Sequence, residues 1–90
     1  MERVRKRIVA HGRVQGVWFR DSARVQAERH GLAGWVRNRA DGAVEAELEG
    51  PHAEVELVVA WFAHGPRDAR VDRLEVTEVP PDGEPGFSVD

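Results

Sequence analysis

The sequence of 90 residues contains no cysteine, a single lysine and no long apolar run. Without cysteine there can be no disulfide framework, thiolate zinc site, iron–sulfur cluster or thiol nucleophile. Because the only lysine is Lys6, the Gly-Lys-Ser/Thr motif of a Walker-type nucleotide site is missing too. No stretch approaches the roughly 20 apolar residues that a membrane-spanning helix needs, and no signal peptide is recognisable. We therefore expect no membrane contact and a cytoplasmic location.

The residues that are present are typical of one globular domain spanning residues 1–90. Apolar residues make up 41% and charged residues 32% of the chain, which is ordinary for a folded domain of this size. Residues 1–40 carry ten Lys/Arg and three Asp/Glu, a balance of +7, whereas residues 41–90 carry three and thirteen, a balance of −10. The acidic total argues against nucleic-acid binding. The basic half suits a small anionic ligand, or it pairs with the acidic half across the fold.

Hydrophobic periodicity predicts the order β-α-β-β-α-β followed by one short strand. Alternating residues mark the strands, and apolar residues three or four apart mark the helices. Glycine–proline pairs at 50–51 and 65–66 bracket the second helix. The predicted strands are Val4–Val14, Ala33–Arg39, Val44–Glu49, Val71–Val79 and Phe87–Val89, and the predicted helices run from Asp21 to His30 and from Pro51 to His64.

Two features of the strands bear on how the sheet is buried. Glu45, Glu47 and Glu49 alternate with apolar residues in the third strand, which predicts a solvated acidic face opposite the core. In the fourth strand, Val71 and Val79 are out of phase with the other apolar residues. That strand therefore contains either a bulge or a twisted end.

The element order predicts an α+β, ferredoxin-like split β-α-β sandwich, in which an antiparallel sheet of four to five strands carries two helices on one face. A right-handed crossover makes its first and second strands parallel, so their C-terminal ends lie at the same end of the sheet. Arg20, just after the first strand, and Asn38, at the end of the second, are expected to approach one point. Asp21 or Ser22 is expected to cap the first helix, whose positive dipole end then faces this point.

The stretch from Arg13 to Arg20, between the first strand and the first helix, has the features of an anion cradle. Gly16 permits tight curvature, every main-chain N–H is available because proline is absent, and a helix N-terminus follows. An ordinary strand-to-helix turn that carries two arginines has the same features, and the stretch alone does not separate the two interpretations. A cysteine-dependent phosphatase loop is excluded because Val14 occupies the position of the nucleophile.

Two motifs resemble the signatures of the acylphosphatase family. The first is Gly12-Arg13-Val14-Gln15-Gly16-Val17-Trp18-Phe19-Arg20. The second is Gly34-Trp35-Val36-Arg37-Asn38, followed by Asp41-Gly42-Ala43-Val44 and Gly50. The residues after the second helix, Gly65-Pro66 with Ala69 and Val71, are also similar to the family's pattern. The resemblance thus covers essentially the whole chain.

The resemblance implies hydrolysis of the carboxyl–phosphate anhydride of acyl phosphates, without a metal or another cofactor. Arg20 matches the arginine with which the family binds the phosphate, and Asn38 matches the asparagine that orients the attacking water. The phosphate would also bind main-chain amides of the loop. These belong to Gln15, Gly16, Val17, Trp18 and Phe19. We expect a small acyl phosphate as the substrate, no nucleic-acid partner and a monomer.

Physical chemistry independently supports such a reaction at these residues. The leaving carboxylate has a conjugate acid with a pKa of roughly 4, so no general acid is needed at neutral pH. Phosphoryl transfer through a loose transition state needs mainly charge stabilisation and in-line positioning, which Arg20, the amides and Asn38 would supply. Because no Asp, Glu or His stands out at the motif, we expect a phosphate oxygen of the substrate to accept the proton of the water.

Two other functions are compatible with the predicted fold. A non-catalytic module that binds phosphate or a metabolite would need Arg20 but not Asn38. An RNA-binding domain shares the β-α-β-β-α-β order, but three glutamates in its third strand would repel phosphates. The histidines show no metal-ligand spacing and are interpreted as surface or structural residues, and the tryptophans as core or rim residues rather than stacking platforms. These residues are His11, His30, His52, His64, Trp18, Trp35 and Trp61.

Overall fold

The computed structural model describes residues 2–90, and Met1, the first residue of the predicted domain, lies outside the described residues. The predicted order of elements is confirmed, with bounds that differ by a few residues. The strands are β1 (Arg3–Arg13), β2 (Ala33–Asn38), β3 (Val44–Pro51), β4 (Arg70–Val79) and β5 (Phe87–Val89), and the helices are α1 (Phe19–Arg29) and α2 (His52–Phe62). Within residues 2–90, neither helix is long and apolar enough to cross a membrane.

The five strands form one sheet in the order β4-β1-β3-β2-β5. The ferredoxin-like arrangement is confirmed: β3 is antiparallel to both β1 and β2, and β4 is antiparallel to β1. The short β5 is the exception, since it runs parallel to β2 and makes the sheet mixed. Because β1 and β2 are both antiparallel to β3, they run in the same direction, and their C-terminal ends lie at the same end of the sheet.

The core lies between the sheet and the two helices. In β1, the apolar residues Val4, Ile8 and Ala10 lie on one face of the strand and are all buried. The helices bury apolar residues spaced three or four apart against them, namely Phe19, Ala23 and Ala27 from α1 and Val55, Val58 and Phe62 from α2. Phe19 packs against Trp61 and Phe62, with ring centroids 5.3 and 5.5 Å apart.

The start of α1 differs from the prediction. The helix begins at Phe19 and not at Asp21, and the residue before it, Trp18, provides no side-chain cap. Asp21 and Ser22 therefore lie inside the first turn. Phe19 is only 2% exposed, so its packing against α2 fixes where the helix begins, and Asp21 still interacts favourably with the positive end of the helix dipole.

A bulge in β4 explains why Val71 is out of phase. Gly12 pairs with Val71 and His11 with Arg73, which leaves Asp72 as the extra residue. Val71 is thereby returned to the side of the sheet that packs on the core. A Cβ on Gly12 would overlap the main-chain oxygen of Arg70, so only glycine fits opposite the bulge. Val79 pairs with Arg5 on the other face.

The prediction of a solvated acidic face is wrong. Glu45, Glu47 and Glu49 are 8%, 7% and 0% exposed. They form ion pairs with arginines on the neighbouring strands β1 and β2, and we call these seven residues the glutamate–arginine ladder. Its members are Glu45, Glu47, Glu49, Arg3, Arg5, Arg7 and Arg37. The basic and acidic halves of the sequence therefore meet on the sheet face opposite the helices.

Arg5 is at the centre of the glutamate–arginine ladder. Its Nε donates to Glu47 at 2.6 Å and its Nη1 to Glu49 at 2.9 Å, and the residue is 4% exposed. Burial opposes ionisation of Glu47, but hydrogen bonds from Arg5 and Arg7 outweigh it and hold the pKa of Glu47 below its ordinary value. A buried charge without its partner would be strongly destabilising. The ladder is thus a fully paired layer of the fold.

Candidate active site

The loop between β1 and α1 contains two residues with left-handed backbone conformation. Gly16 has φ 76°, and Trp18 has φ 65° and ψ 24°. Trp18 is the one non-glycine residue with positive φ in the part of the chain that the structure describes. For a residue with a side chain this conformation costs about 1–2 kcal/mol, and such strain concentrates at ligand-binding sites. The loop therefore has the tight curvature that an anion cradle requires.

A cavity of about 360 Å³ opens beside this loop and brings the two predicted catalytic residues together. It is lined by both Arg20 and Asn38, although they are 18 positions apart in the sequence. The convergence expected from the parallel directions of β1 and β2 is therefore present. The full lining is Val14, Gly16, Trp18, Phe19, Arg20, Asp21, Asn38 and Val89.

The predicted phosphate-binding residues divide into two groups. Gly16, Trp18, Phe19 and Arg20 line the cavity, whereas Gln15 and Val17 do not. The side chain of Val17 is 6% exposed and belongs to the core cluster. The side chain of Gln15 instead contacts the turn between β2 and β3. Trp18 is 76% exposed, which makes it a rim residue of the cavity.

Arg20 lies in the first turn of α1 and keeps a charge that no carboxylate side chain neutralises among residues 2–90. Its Nη1 donates to the main-chain oxygen of Asp90 at 3.0 Å. The helix dipole adds partial positive charge at the same place. A half-buried guanidinium beside a helix N-terminus is an arrangement that binds anions.

Asn38 is the last residue of β2, where it pairs with Val44 of β3. The turn that follows is well organised: the N–H of Ala43 donates to Asp41 Oδ1 at 3.0 Å, and the Arg39 side chain donates to Asp41 Oδ2 at 2.8 Å. The hydrogen bond from Ala43 and the charge of Arg39 hold the pKa of Asp41 below its ordinary value. The exposed Asn38 side chain is thus carried by a fixed hairpin end.

The last two residues of the sequence contribute to the site and were missed in the sequence analysis. Val89 lines the cavity, and Asp90 supplies the main-chain acceptor for Arg20. Both reach the site because β5 runs parallel to β2, with Asp90 N–H donating to Val36 at 2.8 Å. No local pattern predicts that pairing. The side chain of Gln15 was also missed, although its position inside the first motif could have drawn attention to it.

The histidines lie away from the cavity. His30 contacts Glu54 at 2.8 Å and so joins α1 to α2, and His11 pairs with Glu75 on β4. Across residues 2–90, no group of three or more histidines and carboxylates is arranged to hold a metal ion. These positions agree with the surface or structural roles expected for the histidines.

The split β-α-β sandwich places the chain in the class of ferredoxin-like α+β domains, with a cavity at the sheet end where β1 and β2 finish. Comparison with known proteins then specifies the family. The family model described as Acylphosphatase matches residues 6–89. The chain belongs to the acylphosphatase family.

Relatives and solved structures support this membership over the whole chain. An acylphosphatase of Anaeromyxobacter dehalogenans is 55% identical over 85 residues, covering 94% of this chain and 91% of that protein. An acylphosphatase of Thermococcus kodakarensis is 48% identical and covers 99% of this chain and 98% of that protein. The crystal structure of acylphosphatase from Bacillus subtilis superposes with a TM-score of 0.93 at 39% identity, covering 97% of this chain and 98% of that one.

Proposed function

We propose that the chain hydrolyses the carboxyl–phosphate anhydride of acyl phosphates to a carboxylate and inorganic phosphate. The observation that carries this proposal is the convergence of Arg20 and Asn38 at one cavity in a member of the acylphosphatase family. A phosphate can be held at the loop by Arg20, and the side-chain amide of Asn38 can hold a water beside it. These are the two requirements of a direct hydrolysis.

Arg20 and the loop amides bind the phosphoryl group in this proposal. Main-chain N–H groups of residues 15–19 and the Arg20 guanidinium donate to the phosphate oxygens, whose charge they also stabilise in the transition state. Arg20 pairs with no carboxylate side chain among residues 2–90, which supports this role, because a bound anion competes only with the hydrogen bond from Nη1 to the main-chain oxygen of Asp90. No metal or other cofactor takes part.

Asn38 orients the water that attacks phosphorus in line with the leaving group. The new bond forms between the water oxygen and phosphorus, and the bond from phosphorus to the acyl oxygen breaks, so that its electron pair leaves on the carboxylate. That group needs no general acid at neutral pH. The proton of the water passes to a phosphate oxygen of the substrate. Asp21 is the single carboxylate side chain among the residues that line the cavity, so it is the residue to test as an alternative proton acceptor.

The decisive experiment follows the loss of benzoyl phosphate with wild type, Arg20→Ala and Asn38→Ala. Losing one preorganised donor typically lowers kcat on the order of 10²–10³-fold, so we expect at least this loss for Arg20→Ala, together with weaker inhibition by phosphate. Asn38→Ala should lose kcat and still bind phosphate. Arg24→Ala is the matched control, because Arg24 lies on the same helix, does not line the cavity and forms an ion pair with Glu28 on the surface. It should retain wild-type kinetics.

Two results would contradict the proposal. A folded wild type that binds phosphate but is no faster than buffer would make the chain a binding module. Full activity of Asn38→Ala would remove the assigned role of the asparagine. If a phosphate oxygen of the substrate accepts the proton, the pH–rate profiles of kcat for wild type and Asp21→Asn should both be flat. An acidic limb that is present in the wild type and lost in Asp21→Asn would instead make Asp21 the base.

A further inference from the structure

The side chain of Gln15 connects the loop between β1 and α1 to the turn that follows Asn38. Its Nε2 donates to the main-chain oxygen of Arg39 at 2.8 Å and to that of Ala43 at 3.0 Å. Both acceptors are carbonyl groups, which cannot donate, so the amide nitrogen and not the amide oxygen must face them. Both hydrogens of one side-chain amide are therefore used on residues 24 and 28 positions away.

The two carbonyl groups are those that close the β2–β3 hairpin. The N–H of Arg39 donates to the oxygen of Ala43 at 2.8 Å, and the N–H of Gly42 donates to the oxygen of Arg39 at 3.2 Å. Asn38 directly precedes Arg39 and pairs with Val44, which directly follows Ala43. Gln15 thus holds both ends of the turn. The residues it contacts, Arg39 and Ala43, are the chain neighbours of Asn38 and of its strand partner Val44.

From this geometry we propose that Gln15 is a positioning residue for Asn38. Its side chain fixes the asparagine relative to the loop, and so fixes the attacking water relative to the bound phosphate. This inference rests on the proposed hydrolysis. In-line attack is sensitive to such placement, since a misplacement of about 1 Å can cost on the order of 10²-fold in rate. The main-chain amide of Gln15 remains available to the phosphate.

The first test compares kcat with KM in Gln15→Met, which keeps the length of the side chain and removes both donors. We expect kcat to fall by roughly 10- to 100-fold. The KM for benzoyl phosphate and the inhibition constant of inorganic phosphate should change by no more than about threefold, because Arg20 and the loop amides are intact. Gln26→Met is the matched control: it makes the same chemical change on α1, outside the cavity, and should leave kcat unchanged.

The second test separates positioning from simple structural support. In an Asn38→Ala background there is no asparagine left to position, so adding Gln15→Met should have little further effect on kcat. Gln15→Glu supplies an independent variant. Its ionised carboxylate faces two carbonyl oxygens, whereas its protonated form can donate to one of them, so its kcat relative to that of Gln15→Met should rise as the pH falls.

The outcomes distinguish this inference from the proposed function. An inactive wild type overturns the hydrolysis and, with it, the positioning role. An active wild type whose folded Gln15→Met variant keeps kcat within about twofold overturns the role of Gln15 alone. The same conclusion follows if Gln15→Met lowers kcat equally with and without Asn38, because Gln15 would then act independently of the asparagine.

Discussion

Replacing Glu49 by glutamine tests how the glutamate–arginine ladder stabilises the fold. Glu49 is completely buried and accepts four hydrogen bonds, from the side chains of Arg3 and Arg5 and from the main-chain N–H groups of Asp82 and Gly83. Each carboxylate oxygen faces two donors. In either orientation, the NH₂ group of a glutamine would therefore face donors and leave them unsatisfied.

The magnitude follows from the pKa of Glu49. Burial disfavours the charged carboxylate, but the hydrogen bonds from Asp82, Arg5, Gly83 and Arg3 outweigh it and lower the pKa from 4.5 to about 2. Each pKa unit corresponds to 1.36 kcal/mol, so ionised Glu49 contributes about 3 kcal/mol to the free energy of unfolding at pH 7. Because the folded-state pKa is depressed, this contribution is complete above the unfolded value of 4.5 and is lost as the pH falls toward 2. About 2 kcal/mol of it should be lost between pH 7 and pH 3.

The assay is urea denaturation of wild type and Glu49→Gln at pH 7 and pH 3. At pH 7 the variant should be less stable by about 3 kcal/mol, and the difference should shrink by about 2 kcal/mol at pH 3. Taking the difference in free energy of unfolding between wild type and variant at each pH cancels the contributions of the other titrating groups. Glu28→Gln, a change in an exposed ion pair with Arg24, should cost less than about 0.5 kcal/mol at either pH. A Glu49→Gln difference that is the same at both pH values would refute the reasoning.

Three further predictions concern the packing and ion pairing of the fold. Gly34→Ala should lower the free energy of unfolding by at least about 2 kcal/mol, because its Cβ would overlap the main-chain oxygen of Glu47. Gly31→Ala, at a positive φ but with open space around it, should cost only about 1 kcal/mol in the same urea titration. Phe19→Ala should cost about 3–5 kcal/mol by thermal or urea unfolding because this ring is fully enclosed, and a smaller cost would show that α1 does not depend on it. Arg5→Met should lower the free energy of unfolding by about 3–5 kcal/mol. Because Arg5 and Glu49 form a direct ion pair, the double variant with Glu49→Gln should lose less stability than the two single variants do together. Strict additivity would contradict the direct pair.

The parts of the fold that were predicted correctly depend on local patterns. Alternation located the strands, and the glycine–proline pairs at 50–51 and 65–66 located α2, because the residues that determine them are neighbours in the sequence. The predicted start of α1 was wrong because the observed start depends on the contact of Phe19 with Trp61 and Phe62. Those residues lie more than 40 positions away in the sequence. A capping residue is a weaker determinant than a buried aromatic ring.

For the candidate site, topology was sufficient to bring Arg20 and Asn38 together. A right-handed crossover makes β1 and β2 parallel, so their C-terminal ends lie at the same end of the sheet, on either side of β3. This placement requires no knowledge of side-chain contacts. The hydrogen bonds of Gln15 could not be predicted in this way. They require the turn carbonyls to lie within 3.0 Å of one amide nitrogen, a precision that depends on the loop conformation and on the register of the hairpin.

The burial of the three glutamates could not be predicted for the same reason. Their pairing with arginines also affects the electrostatic potential at the candidate site. Alternation shows that a strand has two faces, but only the register shows that Arg5 pairs with Glu49 and Arg7 with Glu47. A solvated row of three glutamates would have opposed an anionic substrate through its long-range field. In the glutamate–arginine ladder those charges are paired with four arginines, so this face carries no excess of negative charge. A chain with a net charge of −3 can therefore keep a locally positive loop at Arg20, where a phosphate is expected to bind.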